Sequence, residues 1–170
     1  MPISPEALPR SPIEFATELI ATSGVWRNKE QYLVTLFLLQ PLEFVWQEAL
    51  RDGLVDKLKQ PEGLAQIAKG MDVRSVFLHG PGGSGKTYCM TEVVVKTIRH
   101  FLGRRGVKAI AAHNSAARLL LGKTMHAAGK MTRQQSLKAK ALKPNARARK
   151  ALEKEWQDLF FLLADEVSLG

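Results

Sequence analysis

Gly80-Pro81-Gly82-Gly83-Ser84-Gly85-Lys86-Thr87 decides how the rest of the chain is read. It matches G-x-x-x-x-G-K-[ST], the Walker A phosphate-loop pattern. The apolar run Val76–His79 before it predicts a strand, and Tyr88–Arg99 after it predicts a helix. That setting suits the pattern: glycines let the backbone wrap a phosphate chain, with amide N–H groups and a helix N-terminus pointing at it. The whole stretch Gly80–Thr87 is therefore the candidate ATP contact. Lys86 is placed to reach the β- and γ-phosphates, and the Thr87 hydroxyl to hold Mg²⁺.

The 170 residues fit one domain, or one domain with a small attachment, and a hydrophobic share of 45% is ordinary for a globular chain. Cys89 is the single cysteine, so an internal disulfide is excluded. Its place after the loop suits a packed, inert thiol better than a reactive one. No stretch approaches the ~18 apolar residues of a membrane span. Three prolines precede residue 10, without the basic-then-apolar order of a secretion signal. These features predict an intracellular protein, with nucleus, cytosol and organelle left open.

The net charge of +9 has one source. Ten Lys or Arg and one acid, Glu153, lie between Lys123 and Lys154, and the remainder, with fifteen residues of each sign, is neutral. Such a block suits nucleic-acid phosphates, whose condensed counterions it would release. A solvated helical face is the alternative.

Three regions are expected: a proline-rich, disordered 1–12, a helical attachment over 13–72, and an α/β part of a P-loop fold over 73–170. In the second, Leu42, Val45, Trp46, Ala49 and Leu50 form an amphipathic stripe. Pro41 suits the first turn of that helix, and Leu33, Leu36 and Phe37 the face of a preceding one. Trp26 and Trp46 read as core anchors.

In the third, a helix to about His100 and the turn Gly103–Gly106 lead to a second strand, Val107–Ala112. A helix over Ser115–Leu121 ends at Gly122. Residues 130–158 read as two basic helices broken at Pro144, with Asn145 capping the second. The third strand is Leu159–Ala164. Continuously apolar strands of this kind predict a parallel sheet buried on both faces. The third ends in Asp165-Glu166, the Walker B pattern, at the carboxyl edge where α/β sheets bind ligands. Asp165 is the candidate Mg²⁺ ligand, and Glu166 the candidate base for the water attacking the γ-phosphate. An adjacent base favours hydrolysis over transfer to a bound acceptor.

With Ala111–Arg118 and Gly122–His126 added, the chain resembles the petite-integration-frequency DNA helicases. These are RecD-like members of helicase superfamily one and include the helicases of helitron-type transposons. The resemblance covers residues 73–170. It rests on GPGGSGKT, on Ala116-Ala117 with Gly122, Thr124 and His126, and on Asp165-Glu166-x-Ser168. It implies a RecA-like ATPase lobe, with ATP and Mg²⁺ as cofactors and single-stranded or forked DNA as partner. It implies roles in DNA repair and recombination, in the nucleus or a DNA-containing organelle. Asn114, Ser115, Lys123, Thr124 and His126 become candidate DNA contacts, although His126 equally suits a core histidine fixing a turn. The chain departs from the family at Ala112-His113-Asn114, where Pro-Thr-Gly is usual, and at Leu121, where a second glycine is frequent. Gln60 and Gln66 are the guesses for adenine contact. The scattered histidines and lone cysteine suggest no further metal site.

The resemblance also implies a second RecA-like lobe, carrying an arginine finger, that these residues do not contain. A fragment with weak turnover is the resulting expectation. The alternatives are a nucleotide-binding module without productive hydrolysis and a basic nucleic-acid-binding fragment.

Overall fold

A computed structural model of the protein describes residues 10–69, 71, 75–129 and 146–165. Lys138 and Lys140 of the basic block, the helix break at Pro144 with its cap Asn145, and Glu166 and Ser168 lie outside these residues. The chain starts with α1 (Pro12–Ser23). The Ser11 hydroxyl accepts from the Glu14 N–H at 3.3 Å, and the Glu14 carboxylate accepts from the Ser11 N–H at 2.8 Å. This reciprocal cap starts the helix inside the stretch expected to be disordered.

A 3₁₀ turn, Val25–Arg27, leads to α2 (Lys29–Arg51), whose first turn is capped by the Asn28 side chain. Pro41 was expected to open a helix, but it sits inside α2. Proline cannot donate to the carbonyl four residues back, here that of Phe37. Phe37 and Phe44 are exposed, so the missing bond falls toward solvent. On the other side Leu39, Leu42, Val45, Trp46 and Ala49 are buried, and burial on both flanks of the proline carries the helix through. The Leu33 and Phe37 face is thus an exposed part of the same helix. Trp46 is a core anchor, its Nε1 donating to the Arg10 carbonyl at 3.0 Å, whereas Trp26 is 57% exposed. A second 3₁₀ turn, Val55–Lys57, precedes α3 (Pro61–Ile67). No helix among the described residues is long and apolar enough to cross a membrane.

Val76–His79 forms no strand. The run pairs with none of the three strands, not even at the outer edges of the sheet, and β propensity without a ladder partner makes no sheet. Phe77 is 85% exposed while Leu78 packs on the core. After the loop come α4 (Lys86–Cys89), a π-helical stretch Met90–Val95, and α5 (Lys96–Leu102). Then follow β1 (Val107–Ala111), α6 (Asn114–Leu119), β2 (Lys123–Thr124), α7 (Met125–Ala128), α8 (Ala146–Trp156) and β3 (Phe161–Asp165).

The sheet is parallel, in the order β2-β1-β3. Its register sets Ala111 beside both Thr124 and Asp165. One face is buried through Val107, Ala109 and Ala111, but Leu162 and Ala164 of β3 are exposed, so the sheet is not buried on both faces as expected. The main core joins α1, α2 and the helix after the loop through Ile20, Leu39, Leu42, Val93, Ile98 and Val107. Ala116 and Ala117 lie buried with Ala109 and Ala111, and their small side chains let α6 lie close on β1.

The end of α6 is tightly wound. The Gly122 N–H donates to the Ala117 carbonyl at 2.8 Å and the Leu121 N–H to the Arg118 carbonyl at 3.1 Å, the paired bonds of a Schellman turn. The turn needs a left-handed residue, and Leu121 supplies it at φ 52°. Glycine is preferred there, and a side chain costs about 1 kcal/mol. Gly122 is required for a different reason: a Cβ would lie 2.2 Å from the Ala109 carbonyl oxygen.

Candidate functional site

The phosphate-type loop turns into α4 through Gly85, at φ 79°. Lys86 is the first residue of α4, and its ammonium folds back over the loop. It donates to the carbonyls of Gly80 at 2.8 Å and Pro81 at 2.9 Å, and to the Ser84 hydroxyl at 3.1 Å. Thr87, next in the helix, donates its hydroxyl to Asp165 Oδ2 at 3.3 Å. Asp165 closes β3 at the carboxyl edge of the sheet. The fold thus brings Lys86, Thr87 and Asp165 to one place.

A hydroxyl and a carboxylate that touch are hard oxygen donors. Mg²⁺ takes one or two such protein ligands and completes its shell with phosphates and water. Thr87 and Asp165 therefore fit that cation. Among the described residues no group of three or more His, Cys, Asp or Glu could hold a metal by itself.

Gln31 was not expected at this site. Its side-chain amide donates to the Ser84 carbonyl at 2.7 Å, and a Cβ on Gly85 would lie 2.6 Å from its Nε2. Asn28, Gln31, Val34, Leu78, Gly80 and Lys86 are among the residues lining a cavity of about 140 Å³ against the loop. Gln60 and Gln66, the guesses for adenine contact, are exposed and do not line it. The sequence does hold a signal for the local geometry: Asn28 reads as a helix cap with Gln31 in the first turn. That this turn meets Ser84 is a tertiary fact. A recess of about 230 Å³ between Val55–Lys59 and His100–Phe101 contains none of the expected site residues.

Two neighbours stiffen the loop's helix. The Tyr88 hydroxyl donates to the Ser23 carbonyl at 2.9 Å, tying α4 to the end of α1. Cys89 is buried, and desolvation pushes its thiol up, only partly offset by the hydrogen bond with Thr35. A thiol held neutral in this way is a packing group, not a nucleophile.

The expected DNA contacts gather at the same sheet edge. Asn114 and Ser115 open α6 just after β1 and are exposed. Thr124 lies beside Ala111, which lies beside Asp165, so Thr124 and Asp165 are two strands apart, about 10 Å. The Thr124 hydroxyl accepts from the Ala127 N–H at 3.3 Å and caps α7. His126 is exposed on α7, not in the core.

Lys123 donates to Glu155 at 2.8 Å, and Lys108 of β1 reaches the same carboxylate at 3.8 Å. The Lys108 ammonium also lies 5.3 Å from the Trp156 ring centroid. Glu155 and Trp156 thereby dock the basic helix α8 on the sheet. Arg149 is paired with Glu153, while Arg147 and Lys150 stand exposed.

No curated protein and no solved structure matches the chain. A family model described as PIF1-like helicase matches residues 60–170. That stretch holds the loop, the sheet and the docked basic helix, and it covers more than half of the sequence; the chain belongs to the PIF1-like helicase family.

Proposed function

We propose that this chain binds ATP with Mg²⁺ at Gly80–Thr87 and couples ATP hydrolysis to movement along single-stranded DNA and the opening of duplex DNA. The observation that carries the reading is the contact of the Thr87 hydroxyl with Asp165 at 3.3 Å. It joins the end of the phosphate-type loop to the end of β3, the pair of places from which P-loop NTPases hold nucleotide and cation.

The roles follow from the groups present. Lys86 exchanges its three loop acceptors for oxygens of the β- and γ-phosphates. The helix N-terminus adds amide donors and a positive dipole end. Thr87 and Asp165 hold Mg²⁺, which neutralises charge on the β- and γ-oxygens when bound. Glu166, next along the chain, orients and polarises the attacking water. Gln31 positions the loop by holding the Ser84 carbonyl. Asn114 and Ser115 just after β1, with Thr124 and His126 at and after β2, meet the DNA strand, so the Asp165 end of the nucleotide site and the DNA edge share one sheet. Lys123 joins them by exchanging Glu155 for phosphate.

The test is phosphate release with and without single-stranded DNA, beside calorimetric ATP binding. DNA-stimulated turnover supports the reading. ATP binding without turnover under both conditions assigns the chain to nucleotide binding alone. DNA binding without ATP binding overturns the nucleotide site.

A further inference from the structure

Leu121 is the only non-glycine residue at positive φ among the described residues. The Schellman turn at the end of α6 imposes that conformation, and any residue with a Cβ resists it. The next residue, Gly122, runs so close to the Ala109 carbonyl that a Cβ there would come within 2.2 Å of its oxygen. Nor does burial offset the strain: Leu121 is 72% exposed, and Leu119, two residues earlier, is 69% exposed. A strained backbone that holds an apolar side chain in water points to a contact surface, not to packing.

The surroundings select the partner. Arg118 is exposed and has no ion pair among the described residues. Lys123 follows Leu121 by two residues, and the basic helix α8 reaches it through Glu155. Cations around exposed leucines match a polyanion that also offers apolar faces. Single-stranded nucleic acid is such a molecule, since its phosphates are charged and its unstacked bases are not. Leucines already serve other proteins as apolar contacts at base steps.

We propose that Leu119 and Leu121 form an apolar contact for the unstacked bases of a bound single strand, with its phosphates on Arg118 and the basic block. This rests on the single-stranded DNA reading above and deepens it: the strand is held by its bases as well as by its charge.

The experiment measures fluorescence anisotropy of the full chain with oligothymidylate and with an abasic strand of equal length. The parent is expected to bind the base-bearing strand about tenfold more tightly. Leu121→Gly and Leu119→Gln are expected to remove that preference, leave abasic binding unchanged and keep the same salt slope. Leu121→Gly also raises Tm, since glycine relieves the turn, so weaker binding cannot be ascribed to unfolding. Equal binding of both strands by the parent overturns the base contact and leaves the DNA reading standing. Equal loss on both strands in the variants overturns it as well, assigning the leucines to the fold. No binding of either strand by the parent overturns the inference together with the DNA reading. A concentration-dependent dimer that Leu121→Gly dissolves assigns the patch to self-association and overturns it too.

Discussion

The side-chain amide of Gln31 holds the Ser84 carbonyl at 2.7 Å and so ties the first turn of α2 to the phosphate-type loop. The bond spans 53 residues and makes the N-terminal helices part of the loop's support. Gln31→Ala should weaken ATP binding by about 2- to 12-fold, the range of one neutral hydrogen bond. Calorimetry in Mg²⁺ buffer checks this. An unchanged dissociation constant would show that the loop holds its shape unaided.

Lys86→Ala should act more strongly. A charged donor to phosphate contributes about 1.5–3 kcal/mol, or roughly 10- to 150-fold in affinity. The variant should still fold, because the ammonium lies over the surface of the loop and contacts only groups that water can satisfy. Equal ATP affinity in parent and variant, by the same calorimetry, would sink the nucleotide assignment.

The acidic pair should divide the work. Asp165→Ala should leave ATP binding nearly the same with Mg²⁺ as with a chelator, since the strand-end ligand is gone. Glu166→Gln should spare binding and lower DNA-stimulated phosphate release by about 10²-fold or more, because the amide keeps the shape but cannot act as a base. Full turnover in Glu166→Gln would remove that residue from the mechanism.

The basic helix should contribute through charge. Arg147 and Lys150 are exposed, whereas Arg149 is engaged by Glu153 at 2.7 Å. Changing Arg147 and Lys150 to Gln should flatten the log–log salt slope of single-strand binding by about 0.7 for each lost phosphate contact. Arg149→Gln should change it less. Identical slopes in all variants would mean that α8 is a solvated surface. On the base contact proposed above, changing Leu119 and Leu121 should instead lower affinity and leave the salt slope as it is.

Gly122→Ala is the test of the fold. Its Cβ would lie 2.2 Å from the Ala109 carbonyl, so either β2 leaves β1 or the turn opens. A loss of about 1–3 kcal/mol in denaturant unfolding is expected, the usual range for overpacking. Leu121→Gly, one residue away, should move stability in the opposite direction.

The family, the loop, the strands Val107–Ala111 and Phe161–Asp165 and the helix of Ala116–Ala117 were all legible in the sequence. Each rests on local information: glycine spacing, apolar runs and small residues at fixed offsets. Pro41 misled because its helix-opening preference is also local, while burial of Leu39 and Leu42 on either side of it is not. Val76–His79 misled for a related reason: its β propensity is local, and a run becomes a strand only when it is brought into register with a neighbour, which here it is not. The meeting of Thr87 with Asp165 followed from the two motifs, whereas those of Gln31 with Ser84 and of Lys123 with Glu155 had no sequence signal. Hydrogen bonds between distant residues depend on how helices and strands pack, and packing is set by the whole core at once. The sequence by itself determined which chemical groups this chain possesses and what local shapes they prefer. Only the tertiary structure decided which of them touch, and that left Leu121 strained and exposed beside the edge where the candidate contacts meet.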